Sequence, residues 1–171
     1  WANRKRLAPM RDPRERVPGY ADTLCEQGHF GQKTGRGYYV YDGHTKTENA
    51  DVLPLIEAER DKLGITARAF SDDDILRRYM AAMVNEAAKV VGEGIARRPL
   101  DVDVVLLMGY GFPRYHGGPL KWADMQGLPK VLADIQELAK EDPYFWQPAS
   151  LLTQLVAQGR TFEYLNKEHS A

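Results

Sequence analysis

Cysteine is almost absent. Cys25 is alone among 171 residues, which excludes an internal disulfide framework and fits a reducing compartment. With no catalytic partner evident, it reads as a small buried apolar side chain. Long hydrophobic runs are missing too. Nothing approaches the ~18 apolar residues of a membrane-spanning helix, so no membrane span is expected. No secretory leader is expected either. The chain opens on Trp1 rather than methionine, and the expectation is a piece of a longer polypeptide. Net charge is also scarce. At −1 the chain lacks the concentrated basic surface that phosphate backbones demand, so nucleic acid is not an expected partner. Metal-ligand spacing is lacking as well, since His29, His44 and His169 stand in polar or terminal stretches.

What is present is ordinary in bulk. Hydrophobic residues make up 43% and charged residues 27%, close to a soluble globular average and enough for one domain or two small ones. One local excess stands out. Arg4, Lys5, Arg6, Arg11, Arg14 and Arg16 face only Asp12 and Glu15 in the first eighteen residues. A targeting or nucleic-acid arm is one reading; a solvated, proline-broken connector is the one favoured.

The pattern along the chain is helical. Tyr20 to Gly28 forms a short helix candidate closed by glycine. Gly31, Gly35 and Gly37 then precede the β-prone Tyr38-Tyr39-Val40-Tyr41 and a turn at Asp42-Gly43, which predicts a short strand or hairpin. Residues 44–50 are polar and unpatterned and are expected to be a linker. Pro54 takes a first helical position, with Leu55, Ile56 and Leu63 marking an apolar face before Gly64. Ser71 followed by Asp72, Asp73 and Asp74 resembles a capping box. After it Ile75, Leu76, Tyr79, Met80, Met83, Val84, Ala87, Val90 and Val91 recur at threes and fours. That spacing predicts an amphipathic helix with a wide buried stripe, Met80 and Met83 being core filler. Pro119, Pro129 and Pro148 open three further helices, closed before Gly127, Pro143 and Gly159. The fold class expected is all-α, with a short β-ribbon near residues 37–42.

Residues 101–122, DVDVVLLMGYGFPRYHGGPLKW, raise the question of a phosphate-binding loop. A dinucleotide fingerprint asks for a third glycine that lets a helix lie close to a strand. Gly109 and Gly111 fit the pattern, but Arg114 stands in that third place, after Pro113. The segment 31–37, GQKTGRG, also falls short, because Gln32 precedes Lys33-Thr34 where glycine is required. Pro99 and the early Asp101 and Asp103 instead suggest a helix ending at Gly109, with Val102, Val105, Leu106 and Met108 inward. Gly109, Gly111, Gly117 and Gly118 then serve tight turns and close backbone approach.

The stretch MVNEAAKVVGEGIARRPLDVDVVLLMGYGFPRYHGGPLKWADMQG resembles the C-terminal helical domain of the 3-hydroxyacyl-CoA dehydrogenase family, over residues 75–127. GHFGQKTGRGYYVYD resembles the closing segment of the same domain type. With LVAQG at 155–159, the order is most similar to the end of multifunctional β-oxidation enzymes, in which an enoyl-CoA hydratase is fused to the dehydrogenase, of the peroxisomal bifunctional type and its bacterial relatives. The resemblance implies a 6-phosphogluconate-dehydrogenase-C-terminal-like helical fold and an NAD-dependent oxidoreductase as parent. NAD would be bound by a Rossmann domain missing here, which would also hold the catalytic His–Glu pair. It further implies that residues 1–50 are the tail of a first helical domain plus linker, and 51–171 a second, degenerate one. The family's first helical domain contributes an active-site asparagine in an Asn-Arg pair nine residues before a glutamate. Here Glu86 matches that glutamate and Arg78 the arginine of the pair, but Arg77 replaces the asparagine.

No catalytic, cofactor-binding or metal-binding residue is therefore expected in this chain. The expected partners are the rest of the same polypeptide and, in the parent, the 3-hydroxyacyl-CoA substrate. A stand-alone helical interaction or dimerisation module without an enzymatic parent is the alternative. His116 is the histidine set most like a catalyst, yet a loop or packing role is favoured for want of an orienting carboxylate. Asn85-Glu86 reads as a buried hydrogen bond or a helix-edge position, the alternative being a contact with missing domains. Trp122, Tyr144, Phe145 and Trp146 suit core or inter-domain packing. Lys33 and Arg36 are weighed as reaching a CoA phosphate in the whole enzyme. The absence of a Ser-Lys-Leu ending favours a cytoplasmic, bacterial setting.

Overall fold

A computed structural model describes residues 1–168; His169 lies outside them. The chain divides into two compact units, Trp1–Ala69 and Phe70–Ala171, with nine α-helices and one two-stranded sheet among the described residues.

The first unit runs α1 (Ala2–Leu7), α2 (Tyr20–Glu26), β1 (Tyr39–Asp42), β2 (Thr45–Glu48) and α3 (Val52–Leu63). The basic opening is thus partly helical rather than a bare connector. Arg4 of α1 donates to the Pro18 carbonyl (2.9 Å) and to Asp22 (3.0 Å), so chain neighbours absorb part of its charge. The residues expected to form a linker are β2 instead, paired antiparallel with β1 from Tyr39↔Glu48 to Asp42↔Thr45. Backbone pairing across the Gly43 turn needs no apolar pattern, which is why the polar 44–50 run concealed a strand. The hairpin rests on the preceding glycine loop, where a Cβ on Gly37 would stand 2.7 Å from the Gly31 Cα. Buried Asn49 fastens the crossing by donating to the Gly37 carbonyl (2.7 Å). The helix expected from Pro54 begins two residues earlier and carries that proline inside its first turn. It packs on α2, and Glu59 accepts the Gly19 N–H (3.1 Å). That tie joins α3 to the first compact unit, which ends at Ala69. Leu24 is the only buried apolar side chain described in this unit.

The second unit has a complete core. α4 (Asp72–Gly92) is its axis, with α5 (Pro99–Gly109), α6 (Pro119–Gln126), α7 (Leu128–Leu138), α8 (Ser150–Ala157) and α9 (Phe162–Glu168) around it. The capping box forms as read: Ser71 Oγ accepts the Asp74 N–H (3.1 Å) and Asp74 reaches back. The buried face of α4 is small, Ala81, Val84, Ala87 and Ala88, so its neighbours come close. Leu120 on α6, Ile135 and Leu138 on α7, Leu152 on α8 and Phe162 on α9 fill the space at 0–1% exposure.

The expected inward stripe is only half right. Ile75, Leu76 and Tyr79 are 53%, 59% and 57% exposed, and burial on α4 starts at Ala81. On α5 Val102 and Leu106 are half-buried, whereas Val105 and Met108 face solvent and Asp103 is buried. Periodicity marks an apolar face without saying whether this chain covers it. Prolines punctuate the last helices as expected, except that Pro148 lies two residues ahead of α8. α9 was not anticipated.

Candidate functional site

The glycine loop between α5 and α6 is built around a carboxylate. Asp103 is 3% exposed, and its two oxygens accept the N–H groups of Leu120 (2.8 Å) and Lys121 (3.0 Å) at the start of α6. Those donors have no partner inside their own helix, and the helix dipole favours a negative charge beside them. Gly118 makes the approach possible: its backbone is at φ 106° and ψ 166°, and a Cβ there would collide with Asp103. The N-terminus at which a phosphate would sit is filled by the protein's own anion. Burial pushes the Asp103 carboxyl up to about 6, with Asp124 adding to the rise and the two N–H donors and Lys121 opposing it.

Two similar anchors follow. Asp124 on α6 accepts from Phe162 N–H (2.9 Å) and Glu163 N–H (2.8 Å), opening α9; burial raises its carboxyl as well. Asn166 on α9 accepts the Leu100 N–H (2.9 Å) at the start of α5. The three helices thus cap one another in a ring. The sequence offers Asp103 as a dipole partner at a helix start and gives no reading for Asp124. The available signal was an acid inside the apolar VDVVLL run, one helix ahead of Gly-Gly-Pro.

Asn85 is 1% exposed. Its Nδ2 donates to the Gln147 carbonyl (2.9 Å) and its Oδ1 accepts the Ala149 N–H (2.8 Å), pinning the approach to α8. Glu86 beside it points outward and accepts from Lys89 (2.6 Å). Arg77 pairs with Asp134 (3.0 Å). Arg78 grips Glu141 through both terminal nitrogens (3.1 and 2.7 Å) and lies 5.1 Å from the Phe70 ring centre.

His116 stands in a 3-10 turn at Arg114–His116, its ring 4.3 Å from that of Tyr115 and 6.3 Å from that of Phe112. Among the described residues no carboxylate hydrogen-bonds its ring. It borders a cavity of about 480 Å³ between α4, its own loop, α6 and α7. Trp122 is half-buried on the same wall. A second, shallower groove of about 770 Å³ runs between α4 and α5, past Met83, Val90, Ile95 and Val105. Trp146 is buried with Phe145 edge-on against it at 4.9 Å, and Tyr144 is half-buried. In the first unit Arg36 pairs with Asp51 (3.3 Å) and Lys33 lies 5.0 Å from the Phe30 ring. His29 is half-buried, His44 exposed, and Cys25 free and half-buried. Among the described residues no group of three or more His, Cys, Asp or Glu side chains converges on a metal position, and no helix is long and apolar enough to cross a membrane.

Residues 75–167 match the family model described as 3-hydroxyacyl-CoA dehydrogenase, C-terminal domain. The chain is 44% identical over 144 residues to the peroxisomal bifunctional enzyme of Danio rerio and 41% identical over 143 residues to that of Homo sapiens, 81% of the chain aligning in each case. It is also 32% identical, over 85% of its length, to the fatty acid oxidation complex subunit alpha of Vibrio parahaemolyticus. It spans 20% of the length of each of these relatives.

Proposed function

Because the chain belongs to the family of 3-hydroxyacyl-CoA dehydrogenase C-terminal domains, we propose that it serves an NAD-dependent oxidoreductase of fatty-acid β-oxidation as a packing module, and does not carry the chemistry itself. The observation that carries this reading is the large apolar surface outside a finished core. Ile75, Leu76, Tyr79, Val105 and Met108 are all more than half exposed on a unit whose interior is already filled, as expected of a face that other parts of a longer polypeptide cover. Residues 70–171 stand for the second, degenerate helical repeat. Residues 1–69, with a single buried apolar residue, stand for the end of the first, whose core lies elsewhere. The second repeat would then support the first as a partner subunit supports its mate.

The residues present do not fit a dinucleotide. The helix start behind the glycine loop is held by Asp103, and Arg77 is committed to Asp134. We assign NAD to the Rossmann portion of the longer enzyme and 3-hydroxyacyl-CoA to its active site. The lone thiol suits a reducing compartment, and we infer a cytoplasmic, bacterial-type setting, a bacterial relative being 32% identical. Since the relatives at 40–44% identity are named for the peroxisome, imaging the tagged full-length protein decides the matter. Acetoacetyl-CoA-dependent NADH oxidation, measured on this chain, on a longer polypeptide with its upstream domains, and on that polypeptide cut before residue 70, tests the whole reading. The expected order is inactive, active and crippled. Turnover by the chain alone, or an undiminished truncation, refutes it.

A further inference from the structure

The hairpin of the first unit carries a chemically reactive pair. Asp42 closes β1 and Gly43 opens the turn to β2. A backbone N–H can attack the side-chain carboxyl of the aspartate before it and form a five-membered imide. A side chain on the attacking residue obstructs that approach, so a following glycine permits it best. Asp42 is the one aspartate of the chain followed by glycine, and no asparagine is. The next smallest successor is Ala50, after Asn49.

The structure separates these two candidates. Asn49 is 4% exposed; its Nδ2 donates to the Gly37 carbonyl (2.7 Å) and its Oδ1 accepts the Asp51 N–H (3.2 Å). Its side-chain amide is held at both ends. Asp42 is exposed, and among the described residues no group hydrogen-bonds its carboxyl. The Gly43 N–H is equally unengaged. A Cβ built on Gly43 would meet nothing within 4 Å, and the backbone there turns at φ 56°. Nucleophile and electrophile are adjacent, free and in water.

What restrains them is the Asp42↔Thr45 pairing at the end of the hairpin. That restraint is weak. The described sheet has two strands, and all four residues of β2 are exposed; isolated two-stranded hairpins are marginal in water, and terminal pairs open at little cost. We propose that Asp42 is a site of spontaneous isomerisation to isoaspartate. Gly43 N bonds to Asp42 Cγ as the Cγ–OH bond breaks, and the hydroxyl leaves with the amide proton as water. Water then adds to the main-chain carbonyl of the imide and breaks its bond to Gly43 N. The main chain now runs through Cβ and Cγ, and the former main-chain carbonyl is a free carboxylate. One water leaves and one enters, so mass is unchanged and no other reactant is needed. The lengthened backbone no longer holds Asp42 opposite Thr45.

The test incubates the chain at neutral pH and body temperature beside a free peptide of residues 37–46, the segment that trypsin releases. Isoaspartate is counted by methyl transfer from S-adenosylmethionine with an isoaspartyl carboxyl methyltransferase, and located by electron-transfer fragmentation of the tryptic peptide. The expected result is isoaspartate at residue 42 ahead of every other aspartate and asparagine, formed within about tenfold of the peptide's rate because opening one terminal pair costs no more than that factor. Asp42→Glu, whose imide ring would need a sixth member, abolishes the signal. Asp42→Asn, which loses ammonia in place of water, accelerates it. Isomerisation more than about tenfold slower than in the peptide, a signal that survives Asp42→Glu, or Asn49 reacting first overturns the proposal. Dehydrogenase activity is not the readout, so failure here leaves the packing role standing.

Discussion

Gly118→Ala is the substitution whose consequences the structure defines most tightly. At φ 106° and ψ 166° the backbone occupies a region essentially reserved for glycine, and holding any other residue there costs about 1–3 kcal/mol. The new methyl group also meets the Cβ, Cγ and Oδ1 of Asp103, which has nowhere to go in a 3%-exposed position. Displacing it breaks two charge-assisted hydrogen bonds, each worth about 1.5–3 kcal/mol, and leaves two α6 donors without an acceptor. The total, about 4–9 kcal/mol, is a large part of the 5–15 kcal/mol typical of a whole domain. Urea unfolding followed by far-ultraviolet circular dichroism reads it as a fall in midpoint. The double variant Asp103→Ala/Gly118→Ala sharpens the test, because without the carboxylate the methyl group has less to collide with. The double should cost about 2 kcal/mol less than the sum of the singles. A single-variant loss below about 1 kcal/mol, or singles that add to within about 0.5 kcal/mol, would refute the reasoning.

Other outcomes follow from the same contacts. Asp103 holds its proton up to about 6 in the fold against about 3.9 when unfolded, so the folded state binds more protons between those values. Its contribution is fully present below pH 4 and is lost as pH rises through 6, a fall of about 3 kcal/mol; Asp103→Asn should flatten that part of the urea-stability profile. Asn85→Leu strands the Ala149 N–H and the Gln147 carbonyl, and should cost about 2–4 kcal/mol, with faster hydrogen exchange at Ala149 as the local marker. Trypsin should cut first at Arg68, in the exposed stretch between α3 and α4, and release a product from Ala69 onward that keeps its helical spectrum. Cleavage first within β1–β2 would favour a boundary near residue 50.

Helices with strong local punctuation were legible in the sequence: α4 through its capping box, α5 and α6 through Pro99 and Pro119 at their first positions. β2 was hidden because its residues pair through the backbone while all four side chains face solvent. Asn85 could be read because a polar residue inside an alanine-rich stripe must find partners. Asp103 could not, since its partners lie 17 and 18 residues away across a loop whose path only glycine conformations define. Ile75, Leu76 and Tyr79 carry the core's periodicity without joining it. That pattern records apolarity, and the identity of the covering surface lies outside it.

The ring of caps joining α5, α6 and α9 bears on how the second unit is made. Each of these helices both lends an anchor and receives one, so removing any one of them frees two connections at once. α9, the shortest of the three, is also the last to leave the ribosome. Until Phe162, Glu163 and Asn166 emerge, Asp124 has no donors and the Leu100 N–H no acceptor. The nascent unit therefore stays unlatched through most of its synthesis, and it closes only when a seven-residue helix arrives to complete the circuit.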